Sequence, residues 1–148
     1  MDGMKNGAPR ATLSTNAIAQ LLQGALDRAT ELDVAIHVAI MDSAADMVGF
    51  VSCEGALRIA AETARRKAFT AVNTGMSTLA WGAYVGSIPD DERRIIDSIE
   101  GYIGADGGFP LYEEGLLLGG IGLSGADQEK DADIARAAMK RAEIAEIV

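Results

Sequence analysis

The chain has 148 residues, 49% of them apolar, and a formal net charge of −9. That is one domain's worth of sequence, enough for a two- or three-layer core. It has no apolar run near the ~18–20 residues of a bilayer span and no basic stripe to neutralise phosphates, so neither a membrane nor a nucleic-acid partner is expected.

Residues 1–11 carry Gly, Asn and Lys in no periodic pattern. They read as a mobile tail without a secretory leader, ahead of a single domain over residues 12–148. One cysteine, Cys53, leaves no internal disulfide and agrees with a reducing, cytoplasmic setting. Ser14 suits the cap of a helix in which Ile18, Leu21, Leu22, Ala25, Leu26 and Ala29 recur at helical spacing to about Leu32. Ala35–Met41 is an apolar run of strand length, and Asp42–Asp46 turns it into a second strand, Met47–Val51, as an antiparallel hairpin. An Ala-rich helix is expected from Gly55 to about Asn73, with Glu62 four residues ahead of Arg66. Ser77–Tyr84 reads as a further helical turn or two, ended by Gly86. Pro89 with Asp90, Asp91 and Glu92 suits a helix start, with Ile95, Ile96 and Ile99 as its buried face. Phe109–Tyr112 and Leu116–Leu123 form a second hairpin around Glu113–Gly115. A last helix, from about Ala126–Glu129, carries Ile134, Ala135, Ala138, Met139 and Ala142 on one side.

Each strand pair is joined by a tight turn, and helices separate the pairs. This order predicts an α/β fold of the α+β type: an antiparallel sheet flanked by helices. Ala35–Met41 and Leu116–Leu123 are apolar on both faces and belong in the middle of the sheet. Gly104 to Gly122 holds seven glycines in little more than one hairpin. Glycine in a strand loses much entropy and packs nothing, so this density predicts a pocket wall built from main chain.

The titratable and glycine-rich positions leave alternatives open. With one histidine and one cysteine, and no ligand pair at helical spacing, no metal site is expected. No Gly-x-Ser-x-Gly elbow is present. His37 reads as a sheet-packed histidine or as a ligand or proton carrier, and Cys53 as a spectator thiol or a nucleophile. Gly119-Gly120-Ile121-Gly122 lies in a strand and reads as close helix-on-sheet packing or as ligand contact. Gly107 and Gly108, with Pro110 fixing φ, offer a turn with N–H groups for an anion or carbonyl, or a plain turn. Asp42 caps its turn or presents a carboxylate at the strand end. Lys67, with Thr70 one turn later on the same face, binds a carboxylate, acts as a desolvated base, or simply pairs with an acid.

Taken together, Asp42 at a strand end, Lys67-Ala68-x-Thr70-Ala71 on a helix, Gly107-Gly108-x-Pro110, Gly119-x-Ile121-Gly122-x-Ser124-Gly125 and Asp131 opening the last helix resemble the GlcG/HbpS family, which includes the C-terminal domain of PduO-type proteins. The resemblance covers about residues 12–142. It implies a profilin-like sandwich with a roughly five-stranded sheet, the fifth strand falling near Tyr102–Ala105, and a homo-oligomer, dimer or larger. It also implies a small-molecule ligand, haem or another tetrapyrrole or planar carboxylate, in a pocket near a subunit interface. The ligand-binding residues carried over are Asp42, Ser52, Arg58, Lys67, Thr70, Gly107, Gly108 and Pro110. Relatives commonly have Arg-Met-Asp where Ser52-Cys53-Glu54 stands, Pro at Arg58 and Gly at Ala45. Arg58 then stands in as the cation for haem propionates. The first helix has no histidine, so axial ligation from there is impossible.

Besides a purely structural or regulatory role through binding another chain, two functions compete at this stage. One is the ligand-binding module. The other is a cofactor-free catabolic enzyme, an isomerase, hydratase or hydrolase, in which Lys67 or Glu54 moves a proton and the Gly107–Gly108 turn steadies negative charge on a small carbonyl or carboxylate metabolite.

Overall fold

The computed structural model describes residues 3–147. Met1 and Asp2, at the head of the expected tail, and Val148 lie outside them. The elements are α1 (Thr15–Glu31), β1 (His37–Asp42), β2 (Met47–Ser52), α2 (Ile59–Thr74), α3 (Thr78–Ser87), α4 (Asp90–Asp97), β3 (Gly108–Glu113), β4 (Leu116–Ser124) and α5 (Gln128–Arg141). The strands form one antiparallel sheet in the order β2-β1-β4-β3. The two strands that are apolar on both faces therefore occupy the centre, as their composition requires.

Alternation along β1 divides the core. Val38 and Ile40 point to the face covered by α1 and α5, with Leu21, Ile121, Leu123 and Ile134 among the fully buried residues there. Each such aliphatic side chain contributes ~1.5–3 kcal/mol through its removal from water. Ala39 and Met41 point to the other face, against Ala64, Ala68 and Val72 of α2. Small side chains let α2 lie nearly on the sheet. A Cβ on Gly120 would stand 2.7 Å from the Ala68 carbonyl oxygen, and one on Gly108 would stand 2.7 Å from that of Lys67. A Cβ on Gly122 would run into the carbonyl of Ala64. Backbone contact also sets the α1–α5 layer, where a Cβ on Gly24 would meet Ala138 Cα at 2.9 Å.

Three expectations need correction. The sheet has four strands, not about five. Tyr102–Ala105 forms no strand, because the Ile103 N–H is taken by the Thr70 side chain at 3.0 Å instead of by a ladder. Helix α2 begins at Ile59, not Gly55. Gly55 has φ +83°, in a turn closed by Ala56 N–H to Cys53 O at 3.2 Å, and a left-handed residue cannot open a right-handed helix. Helix α4 has no buried residue: Ile95 is 65% exposed, and Ile99, expected on the same buried face, lies beyond the helix end at Asp97 and is 53% exposed. Its period marks a face, but α2 already covers the sheet on that side, and α4 is left beyond it.

Candidate functional site

Lys67 sits in the middle of α2, pointing at the sheet, and its side chain is 2% exposed. Nζ donates to Leu123 O at 2.7 Å and to Asp131 Oδ2 at 3.2 Å. Asp131, in the first turn of α5, also accepts the Ala126 N–H through Oδ1 at 3.0 Å. One buried ion pair thus ties α2, β4 and α5 together. Burial pushes the Lys67 ammonium below its ordinary range, although Asp131 and then Asp106 pull it back. Burial likewise pushes the Asp131 carboxyl up, against the pull of Lys67. Both shifts record the cost of holding charge away from water.

The structure brings Lys67, Thr70, Gly107 and Gly108 together, as the motif implies, but packs the space among them. A Cβ at Gly107 would stand 3.0 Å from Lys67 Nζ, and Thr70 is fully buried. Gly108 N–H donates to Thr78 Oγ1 at 2.9 Å. The main-chain wall expected from the glycine density is a close-packed seat for α2, in which the Lys67 side chain is buried. Pro110 is buried in the adjoining strand β3. Asp42 lies apart from this group and caps the β1–β2 turn, accepting Ala44 N–H at 2.9 Å and Asp46 N–H at 3.0 Å. Ser52, Glu54 and Arg58 are exposed, at the end of β2 and the start of α2.

A different corner of the molecule is open. Four of the chain's Phe, Tyr and Trp residues form a ladder of rings: Phe69 to Tyr102 at 5.4 Å, Tyr102 to Trp81 at 5.7 Å and Trp81 to Tyr84 at 5.5 Å. Around them lies a cleft in two lobes of about 300 and 260 Å³, both lined by Trp81, Tyr102, Ile96 and Ile99. It forms because α3 rests on the loop after α4 at Gly82, where a Cβ would lie 2.6 Å from the Gly104 carbonyl oxygen. Arg66 stands at the rim of the larger lobe, with Asp97 and Glu100 also lining it. Arg66 and Arg65 both bond Glu62, so this trio keeps one positive charge in excess; the two guanidinium groups hold the Glu62 carboxyl down at about 2. A wider trough of about 990 Å³ runs between α1 and α5. Its charges largely satisfy each other: Arg28 pairs with Asp133 and Glu31 at 2.7 Å each, and Arg141 with Asp27 at 2.8 Å. The cleft offers aromatic faces to a small molecule, whereas the trough's charges neutralise one another.

Sequence reasoning missed the cleft. Trp81 and Tyr84, three residues apart in a helix, were the available signal; Phe69 and Tyr102 join them only through the fold.

Comparison with known proteins places this architecture. The sequence model described in words as "Haem degrading protein HbpS-like" matches residues 13–140. The chain belongs to the HbpS-like family. The corrinoid adenosyltransferase PduO of Citrobacter freundii is 35% identical over 133 residues, which are 88% of this chain and 39% of that protein. The chain therefore spans about two fifths of the length of this curated relative. Among solved structures, a PduOC:heme complex superposes with a TM-score of 0.82 at 28% identity, covering 93% of this chain and all of the other. HbpS superposes with a TM-score of 0.82 at 25% identity, covering 91% of this chain and 93% of the other. The GlcG/HbpS resemblance, with its link to the PduO C-terminal domain, is thereby established.

Proposed function

We propose that this HbpS-like chain binds a small planar ligand, a tetrapyrrole being the type, in the aromatic cleft between α3 and the loop after α4. The carrying observation is the ring ladder Phe69–Tyr102–Trp81–Tyr84, of which Tyr102 and Trp81 line both lobes of the open cleft. Flat π faces favour offset stacking with a flat ring, worth ~0.5–1.5 kcal/mol per aromatic pair beyond the area buried. Arg66 at the rim meets a ligand carboxylate, which a guanidinium binds through paired N–H groups. The solved relative in complex with haem supports the same ligand class. Ile95 on α4 and Ile99 just after it are exposed beside the cleft, apolar surface that a second copy of the chain would cover in an oligomer.

The residues present fit the ring and offer the iron no free imidazole. Helix α1 contains no histidine, and His37 is 4% exposed with both ring nitrogens already engaged. Stacking and the carboxylate contact, not an axial imidazole, therefore carry binding here. Titration of the protein with haem, and separately with iron-free protoporphyrin, tests this through the fluorescence of Trp81, the chain's one tryptophan. Saturable quenching at micromolar concentration by both ligands is the expected result. Quenching by neither would remove the reading, and quenching by haem alone would restore the iron as the anchor.

A further inference from the structure

His37 and Ser52 face each other across the β1–β2 ladder, so their side chains rise from one face of the sheet at its β2 edge. His37 Nε2 lies 2.8 Å from the Leu57 carbonyl oxygen, and Nδ1 lies 2.7 Å from Ser52 Oγ. A carbonyl only accepts, so Nε2 carries the proton and donates it. In the neutral ring Nδ1 is then bare, and it accepts the Ser52 hydroxyl proton. Leu57 C=O fixes the tautomer and the ring plane, the part a third group takes whenever a hydroxyl is activated by imidazole. The base is buried, while Ser52 is exposed.

We propose that Ser52 is a nucleophile with His37 as its general base, and that this sheet edge takes acyl groups from small esters or thioesters. The surroundings suit that class. Phe50 lies on the same face with its ring centroid 6.0 Å from that of His37, and Leu57 and Ile59 are 68% and 80% exposed, giving apolar surface for an acyl chain. Among the described residues, the N–H groups of Glu54 and Gly55 make no hydrogen bond, unlike that of Cys53, which donates to Ile36 O at 2.9 Å. They are the donors available to a developing oxyanion. Arg58 follows as the exposed residue before α2, without a side-chain cap bond.

In the acylation step the Ser52 Oγ–carbonyl carbon bond forms while the hydroxyl proton passes to His37 Nδ1. The carbon–oxygen or carbon–sulfur bond to the leaving group then breaks, and that group departs with the proton. Water repeats the cycle, giving its proton to Nδ1, releasing the carboxylic acid and restoring the serine. No metal or redox partner enters. The edge is separate from the aromatic cleft, because β2 is at the opposite side of the sheet from β3, against which α3 packs.

A fluorophosphonate probe followed by peptide mass mapping tests the assignment on the wild-type protein. One adduct is expected, on Ser52, and none in Ser52→Ala. His37→Gln should slow labelling by about 100-fold or more, the usual worth of a positioned general base. Cys53→Ala should leave the rate unchanged, which separates the neighbouring thiol. Label spread over other serines, no label, or an unchanged rate in folded His37→Gln would each overturn the proposal. If His37→Gln does not fold, the wild-type map decides alone.

Discussion

The seat beneath α2 and the corner around Trp81 are built from the same ingredients, glycines and one helix each, and end as opposites. At the seat, glycines bring α2 down onto β4, and the inward-pointing Lys67 is sealed with the equally buried Asp131. At the corner, Gly82 brings α3 against the loop at Gly104, and the rings around that contact stay half open. Close approach of backbones is therefore not a signature of a ligand site. What separates the two is size: alanines fill the first contact completely, whereas rings of Trp81 and Tyr102 prop the second apart.

Substitutions should break that contrast in a fixed order. Lys67→Met alone leaves the Asp131 carboxylate buried without its partner and should cost ~3–5 kcal/mol in urea unfolding, whereas Lys67→Met with Asp131→Leu should be neutral or stabilising by ~1–4 kcal/mol. In Asp131→Asn the isolated Lys67 is held below its ordinary pKa, so the unfolded chain binds more protons at alkaline pH. Its stability should rise as pH climbs through the lowered Lys67 pKa toward 10.5. A variant whose stability falls over that range would show the amine to be solvated. Gly122→Ala drives a methyl into the α2 backbone and should cost ~1–3 kcal/mol in the same assay. At the corner, Tyr102→Ala should weaken protoporphyrin binding by roughly two- to tenfold, read from Trp81 quenching, with most of the ring stack lost. Gly86→Ala, in α3 with open space around it, should instead stabilise by ~0.5–1 kcal/mol. The smallest effect belongs to Glu62. Its carboxyl is held near 2 by Arg65 and Arg66, so its contribution is present above about 4.5 and lost as pH falls toward 2. Exposed pairs of this kind are worth less than ~1 kcal/mol, and Glu62→Gln should flatten that acid limb only slightly.

Much of the architecture was legible because burial on both faces leaves a plain record. Val38 to Met41 and Leu118 to Leu123 are apolar or glycine at every position, and they form the two central strands. The α4 face misled for the opposite reason: periodicity shows which residues share a side, not whether anything covers it. Lys67 stood out in its motif, but its partner lies 64 residues away on α5, and no local pattern encodes that pairing. The supposed fifth strand failed on one hydrogen bond, the Thr70 hydroxyl holding Ile103 where a ladder would have begun. The cleft was hidden more deeply, since its rings come from α2, α3 and a loop. His37 and Ser52 were readable in principle, because a hairpin closing at Asp42–Asp46 sets them opposite each other.

The meeting of α1 and α5 at Gly24 has a mechanical consequence. With one helix's α-carbon trace resting on the other's, and ion pairs from Arg28 and Arg141 bracketing the crossing, the two rods have a single separation and little freedom to slide. That layer should behave as a stiff plate, showing slow amide exchange and moving, if at all, as one body. Whatever flexing this fold permits is then left to the thinner side, where among the described residues no ion pair ties α3 or α4 to another element.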